Sequence, residues 1–434
     1  MSGSITVTMY DVGFGDSFLL AFPAVEGRRP KVLVDCGVHQ KGPGPVPMKQ
    51  IVAAILEDVA EADGPRIDVV IATHRHRDHV FGFERPEWSG VRVGEVWMPW
   101  TEHPDDPQAR MIREAQAKKA KDLALAFASL DIPAADREML LAIAENNLTN
   151  AKAMETLHHG FTGNPQRSFL PQKTGPRSFS TPLLPGAIVH VLGPSRDPDV
   201  MRDMNPPPHG SFLRAPAGAA GGAGPSPFAT RLQLSPAGAA FETWWSSLAK
   251  KRVAEPDDDA PLLPSDAHFA ARWLGRAGLT KADVRSVEKK GRDDPFAAAV
   301  ALDAAVNGTS LMLTIELGKA ILLLPGDAQW GTWNAAMSDA TSLDLLKRTT
   351  FYKVGHHASH NATPRRFVDE IIGAGVLAMI STRTKTFDSI PRLPLLAALK
   401  KKAVTFVRSD DGKGSVVAPF KRVDPIRTTI DLPV

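Results

Sequence analysis

The densest cluster of chemistry-bearing residues in this chain is Thr73-His74-Arg75-His76-Arg77-Asp78-His79. It puts three histidines and an aspartate into six positions. The apolar run Ile67-Asp68-Val69-Val70-Ile71-Ala72 precedes it and reads as a buried strand. Imidazoles and a carboxylate at the end of a buried strand are metal donors. Without thiolates the set favours zinc, with manganese or iron as alternatives. In extended chain, positions i and i+2 point the same way, so His74 and His76 can grip one ion together. Asp78 and His79 follow after a turn and can reach a second ion. Arg75 and Arg77 stand between these residues and either face solvent or attract an anionic substrate.

Other strand ends deliver the same residue types. Asp327 closes the apolar run 319–324 through Pro325-Gly326 and can bridge two ions. His356 and His357 follow an expected strand at 349–354. Gly326 and Gly355 beside them let backbone pass close to the site. Asp35 ends the run 31–34. Two bridged cations would turn a water held between them into a metal-activated hydroxide near neutral pH. Asp78 would steady that hydroxide. Lys353, Ser359, His360 and Thr363 are candidates to hydrogen-bond phosphate oxygens.

The elements that must position these residues follow from periodicity. Residues 4–10 alternate polar and apolar as a strand, and 17–22 and 31–34 give two more. Asp11-Val12-Gly13-Phe14-Gly15-Asp16-Ser17 marks a tight turn between the first two. A helix is predicted over 47–61, then strands at 67–72 and 95–98. Residues 105–159 turn helical and charged, with helices at 115–130 and 134–157, and read as an insertion. Pro- and Gly-rich chain at 160–186 leads to a strand at 187–192. Residues 196–235 form a flexible Gly/Ala/Pro-rich loop, and 239–290 a second helical insertion. In that insertion Phe241, Trp244, Trp245 and Leu248 share a face, a core stripe or a docking face for a protein partner. Strands return at 309–315, 319–324, 349–354, 376–381, 404–407 and 415–419, with helices at 364–372 and 393–401.

With 434 residues, 43% hydrophobic and 23% charged, the composition is that of an ordinary soluble protein. A net charge of +3 argues against a bulk nucleic-acid or membrane binder. The one cysteine, Cys36, excludes an internal disulfide and reads as a small core residue. No apolar run approaches the about 18 residues of a membrane span, and no leader is visible, so a cytoplasmic protein is expected.

The HxHxDH pattern, with Val34-Asp35-Cys36-Gly37 before it and Gly-Asp then His-His after it, resembles the metallo-β-lactamase fold superfamily. That resemblance implies a four-layer αββα sandwich, here a single domain over 1–434. Its core would be 4–100, 187–195 and 305–420, outside the two helical insertions. The turn at 11–17, Asn307-Gly308-Thr309-Ser310-Leu311, Leu324-Pro325-Gly326-Asp327-Ala328 and Lys353-Val354-Gly355-His356-His357-Ala358-Ser359 are most similar to the hydrolase domain of ComEC-type competence proteins and their stand-alone soluble relatives. By that likeness His74, His76, Asp78, His79, Asp327 and one of His356 and His357 are ligands of two divalent ions. His357 is preferred as the ligand, and the other histidine faces the substrate. Asp35 orients the histidine loop from behind, with Asp11 and Asp16 as further structural support. The catalytic set is Asp78, His356 and Lys353, and the substrate-binding set Arg75, Arg77 and Ser359. The implied activity is a phosphodiesterase or nuclease acting on a nucleic acid or nucleotide, with an ester, thioester or lactone hydrolase as the alternative. A third alternative is a partner-docking component whose metal site is structural or gated. The chain departs from the pattern at Ala358, where relatives carry Gly, and at Ile390-Pro391, where they carry His-Pro. Candidates for a further histidine ligand are His158, His159 and His190.

Overall fold

The computed structural model describes residues 3–128, 134–148, 150–204, 206–207, 209–212, 302–359, 362–387, 390–412 and 416–434. Two sheets stack face to face. The first has β1 (Ser4–Tyr10), β2 (Ser17–Ala21), β3 (Lys31–Cys36), β4 (Arg66–Ile71), β5 (Arg92–Pro99), β6 (Gln166–Leu170), β14 (Lys421–Arg422) and β15 (Arg427–Pro433), in the order β14-β15-β1-β2-β3-β4-β5-β6. The second has β7 (Ser178–Phe179), β8 (Ile188–Gly193), β9 (Met312–Leu317), β10 (Ala320–Leu324), β11 (Phe351–Lys353), β12 (Leu377–Ile380) and β13 (Thr405–Arg408), in the order β13-β12-β11-β10-β9-β8-β7.

Alternation decides which side chains fill the space between the sheets. Val32, Val34, Val69, Ile71 and Trp97 from the first sheet meet Leu313, Ile315, Leu322, Leu324 and Phe351 from the second. Their neighbours in sequence point outward and are covered by helices. Leu33, Ile67, Val70 and Val96 pack on α1 (Met48–Asp58). Leu323, Tyr352, Ala378 and Ile380 pack under α7 (Trp330–Ser338), α8 (Ala340–Arg348) and α9 (Leu393–Lys401). Strands buried on both faces read as continuous apolar runs, as Val69-Val70-Ile71 and Ile321-Leu322-Leu323-Leu324 do. The result is the expected four-layer αββα sandwich.

Within each sheet a parallel block carries the site. β3, β4, β5 and β6 run parallel, and so do β10, β11, β12 and β13. Parallel strands joined by crossovers send all their carboxyl ends to one edge, where loops gather. Asp35, His74, Asp327, His356, His357 and Ser381 all lie at or just after such ends. The two edges are tied at this point, because Leu311 N–H donates to Thr73 O at 2.7 Å.

Several elements differ from expectation. β6 lies in the stretch read as irregular and pairs with β5 through Trp97↔Ser168; it is short and without clean alternation, so pairing rather than pattern makes it a strand. The strand expected at 415–419 is not formed over its described residues 416–419, which end in a turn at Ala418-Pro419. β15 follows instead, pairs along the whole of β1 and buries Thr428, Ile430 and Leu432. α7 and α8 were not anticipated. The sheets therefore extend beyond the expected core to 166–170, 178–179 and 427–433.

The long helix read over 134–157 divides into α4 (Ala134–Leu148) and α5 (Ala151–Glu155), followed by a wide turn at Thr156–Gly160. α4 packs on α3 (Pro107–Ala128). The loop expected from 196 begins with α6 (Pro198–Arg202), capped by the Asp197 side chain. The rest of that loop beyond Phe212, and the expected insertion at 239–290 with Trp244 and Trp245, lie outside the described residues. No described helix is long and apolar enough to cross a membrane.

Candidate metal centre

The His74–His79 loop leaves β4 at Ile71, bends at Arg75, is extended at His76 and closes into the one-turn α2 (Arg77–Val80). This path puts His74 Nε2 3.0 Å from His76 Nδ1. Two nitrogens on one tetrahedral zinc lie about 3.3 Å apart, given Zn–N bonds of about 2.0–2.1 Å. The helical turn then rotates Asp78 and His79 inward. Asp78 Oδ2 is 3.2 Å from His357 Nε2, and His79 Nε2 is 3.2 Å from Asp327 Oδ2. His74, His79 and Asp327 form one group, and Asp78, His79 and His357 another, whose donor atoms all lie within 4.8 Å of each other. All are buried.

The motif glycines allow this closeness. A Cβ on Gly37 would strike the Asp78 carbonyl and the His79 amide, and a Cβ on Gly15 would strike the Gly37 carbonyl. The Asp11–Ser17 turn is thereby laid on the ligand loop, where Asp16 N–H donates to Asp78 O at 2.9 Å.

Each imidazole has a partner on its outward nitrogen, which fixes ring orientation. His79 Nδ1 meets Asp35 Oδ2 at 2.8 Å, and Asp35 also accepts from Thr73 N–H and Oγ1–H. His357 Nδ1–H donates to Ser381 O at 2.9 Å, so its Nε2 is the inward atom. His356 is placed otherwise. Its Nδ1 meets Ser359 Oγ at 2.8 Å and its Nε2 is 3.4 Å from Asn307 Nδ2. It is partly exposed, while His357 is wholly buried. The turn that separates the two is strained: His356, His357 and Ala358 have φ of 46°, 53° and 65°. Left-handed backbone suits glycine, which gives Ala358 a physical meaning as a departure.

Burial alone would raise the Asp78 carboxyl, but the His357 hydrogen bond and neighbouring imidazoles hold it well below the usual carboxylate range. Asp327 is likewise pulled down against burial by His79 and His356. Burial and the adjacent His79 and His76 push His74 well down, so it is a neutral donor. Asp78 Oδ1 and Asp16 Oδ1 are buried without a hydrogen-bond partner. Four carboxylates, Asp16, Asp35, Asp78 and Asp327, are buried at the site, and the first, second and last of them act on one buried ammonium, Lys353. This donor set fits divalent cations: imidazole nitrogens and carboxylate oxygens converge, Asp78 Oδ1 is unpaired, and the carboxylates that raise the His79 and His357 pKa values, against burial, would favour any other cation placed there.

Several expected residues are placed elsewhere. Lys353 does not face the cleft; it is buried behind the ligands, ion-paired with Asp16 and 3.9 Å from Asp327 Oδ1. Arg75 is not open to a substrate either, because its guanidinium forks onto the buried Glu102 at 2.7 and 3.0 Å. Arg77 lies over the Phe81 ring, 3.4 Å from its centroid. Thr363 is buried against Tyr352 Oη, and His360 lies outside the described residues. Asp11 is a turn residue, accepting from Gly13 N–H and Arg383. Of the further histidines, His158 stacks on Phe169, with His159 beside it, and His190 joins Ser178 and Glu316 on the second sheet. None of the three enters a ligand group among the described residues, and neither does His76, whose link to the cluster is its 3.0 Å approach to His74.

Four site residues were not singled out from sequence. Asn147 Oδ1 is 2.9 Å and Asp303 Oδ1 3.6 Å from His76 Nε2. Asn307, within the Asn307–Leu311 motif, stands beside His356. His39, four residues after Asp35, packs edge-on against Phe14, which in turn packs on His357. Its nearness to the Asp35-Cys36-Gly37 strand end was the available signal.

No curated protein matches this chain. Residues 10–160, which carry Asp35 and the whole His74–His79 ligand loop, match the family model of the metallo-beta-lactamase superfamily, whose members are largely metal-dependent hydrolases.

Proposed function

We propose that this protein is a dinuclear metal-dependent hydrolase whose substrate is a phosphodiester small enough to sit on the metal pair, such as a nucleotide. His74 Nε2, His76 Nδ1 and Asp327 would hold the first ion. Asp78, His79, His357 and a shared Asp327 would hold the second. Zinc suits the imidazole and carboxylate donors, with manganese as the alternative. Bound divalent cations supply Lewis acidity at the scissile oxygen and lower the pKa of a coordinated water. The observation that carries the reading is the convergence of His357 Nε2 on Asp78 and of His79 Nε2 on Asp327, with Asp78 Oδ1 left unpaired.

The chain's own residues do the positioning. Asp35 and Ser381 hold the His79 and His357 rings from behind. His356, oriented by Ser359 on Nδ1, offers Nε2 to a substrate oxygen and can hold a proton there for a leaving group. Asn307 Nδ2 lies next to that nitrogen and adds a donor. Arg75, Arg77 and Lys353 are engaged internally, which supports a compact substrate over a long polyanion that needs cations along its backbone. The same engagement favours a second reading, hydrolysis of an uncharged ester, thioester or lactone.

The experiment loads purified protein with zinc or manganese and offers bis-p-nitrophenyl phosphate, single-stranded DNA, and a lactone and thioester panel. Cleavage of the small diester above that of a His79→Ala variant is expected. Two bound ions with no phosphodiester cleavage, but turnover of a lactone or thioester, would replace the first reading by the second.

A further inference from the structure

A ligand histidine must present a bare nitrogen, and the partner of its other nitrogen decides which one that is. For His79 and His357 those partners, Asp35 and Ser381, come from the ends of sandwich strands. For His76 the closer partner does not. Its Nε2 lies 2.9 Å from Oδ1 of Asn147, near the end of α4, inside the stretch that the sequence marks as an insertion. The orientation of that amide is fixed, because Asn147 Nδ2 donates to Ile143 O at 2.9 Å. Oδ1 can only accept, so His76 Nε2 is the donor. Nδ1 is then left bare, 3.0 Å from His74 Nε2. Asp303 Oδ1 supports the same tautomer from 3.6 Å, and its other oxygen accepts from Asn307 at 3.1 Å.

The insertion is fastened where this contact needs it. Asn150, just past α4, donates to the Arg75 carbonyl inside the ligand loop. Glu138 on α4 pairs with Lys41 at 2.8 Å. Gln116 on α3 donates to Ala305 O at 3.2 Å, on the helix at 302–307 that carries Asp303. These bonds clamp the His74–His76 segment between the insertion and the second sheet's approach.

We propose that Asn147 is a positioning residue for the first metal position, so that the α3–α4 insertion is a working part of the metal centre. This rests on the two-ion reading above. It makes metal affinity at that position depend on how α4 docks, and by reciprocity makes bound metal hold α4 in place.

The test uses the full chain with Asn147→Leu and Asn147→Asp variants. Zinc is titrated against a chromophoric chelator, and the His76 tautomer is read in the metal-free protein by NMR of ring nitrogens. Wild type should bind two ions and carry the proton on His76 Nε2. N147L should lose about 10–100-fold in affinity at one position, leave the other unchanged and show a mixed His76 tautomer. N147D, which keeps an acceptor, should retain the wild-type affinity and tautomer. Unchanged binding of both ions by N147L overturns the proposal, as does an Nδ1–H His76 in wild type. Should N147L not fold, the wild-type tautomer and N147D decide: a tenfold loss in N147D refutes it. A wild type that takes up no zinc removes the metal-centre reading with it. Two ions in wild type and an indifferent N147L remove this proposal alone.

Discussion

Replacing Lys353 by methionine would leave Asp16 without its ammonium partner inside the protein. Both side chains are almost fully buried. Methionine nearly preserves the length and apolar stem, so the loss is chiefly electrostatic. Burial lowers the Lys353 pKa, but Asp16 and Asp327 outweigh it and the net shift is upward. A raised lysine contributes stability that is present below its unfolded value of 10.5 and is lost only as pH rises through the folded one. Its contribution is therefore complete near neutrality. Removing one partner of a buried pair costs about 3–5 kcal/mol. Asp327, 3.9 Å from the ammonium, adds an interaction of about 4 kcal/mol at an effective dielectric near 20, so the upper half of that range is expected. The assay is guanidinium unfolding of the metal-free protein near pH 7, for wild type, K353M and the double variant D16N/K353M. The double variant should recover much of the loss, because no unpaired charge remains at Asp16. A K353M variant within about 1 kcal/mol of wild type would refute the assignment of Lys353 as the buried counter-ion.

Other outcomes follow from the same geometry. Zinc at about 100 times its dissociation constant should stabilise the fold by about 2.7 kcal/mol per site, and a chelator should reverse this; His357→Ala should reduce the bound ions from two to one by metal analysis. Burial, only partly offset by Arg383, raises the Asp11 carboxyl from 3.8 to about 6, so its stabilising contribution is present below about pH 4 and lost as pH rises through about 6. The stability advantage of Asp11→Asn over wild type should therefore grow by up to about 3 kcal/mol between about pH 4 and pH 7, and a gap that stays constant would contradict the burial argument. Ala358→Gly relieves a left-handed φ of 65° and should raise the unfolding free energy by up to about 1 kcal/mol, read by denaturant titration; a loss of stability would show that the Ala358 methyl packs usefully.

The differences between expectation and structure share one cause: local pattern carries type, and assembly carries partners. Arg75 and Arg77 invite an anionic substrate by their position between ligands. Glu102, at the end of the next strand, and Phe81, one turn further on, take them instead. Lys353 looks like a phosphate donor beside Gly355-His356-His357, yet β11 is an interior strand and turns that side chain toward Asp16. β6 carries no clear alternation and is a strand only because β5 offers it hydrogen bonds. β15, by contrast, carries a readable alternation at Thr428, Ile430 and Leu432.

By itself the sequence pointed to the residues that could donate to a metal. The strand-end positions of His74, His76, Asp78, His79, Asp327, His356 and His357, and the glycines beside them, follow from local periodicity and turn chemistry, while the four-layer α/β architecture was implied by the family resemblance those motifs carry. Only the tertiary structure decided which nitrogen each ring turns inward. Ser381 turns His357 Nε2 toward Asp78 and Asp35 turns His79 Nε2 toward Asp327, from 24 and 44 positions away. It took Asn147, 71 positions away, to give His76 its inward Nδ1. Orientation of an imidazole is a matter of one hydrogen bond on its far side, and that bond comes from whatever the fold brings there.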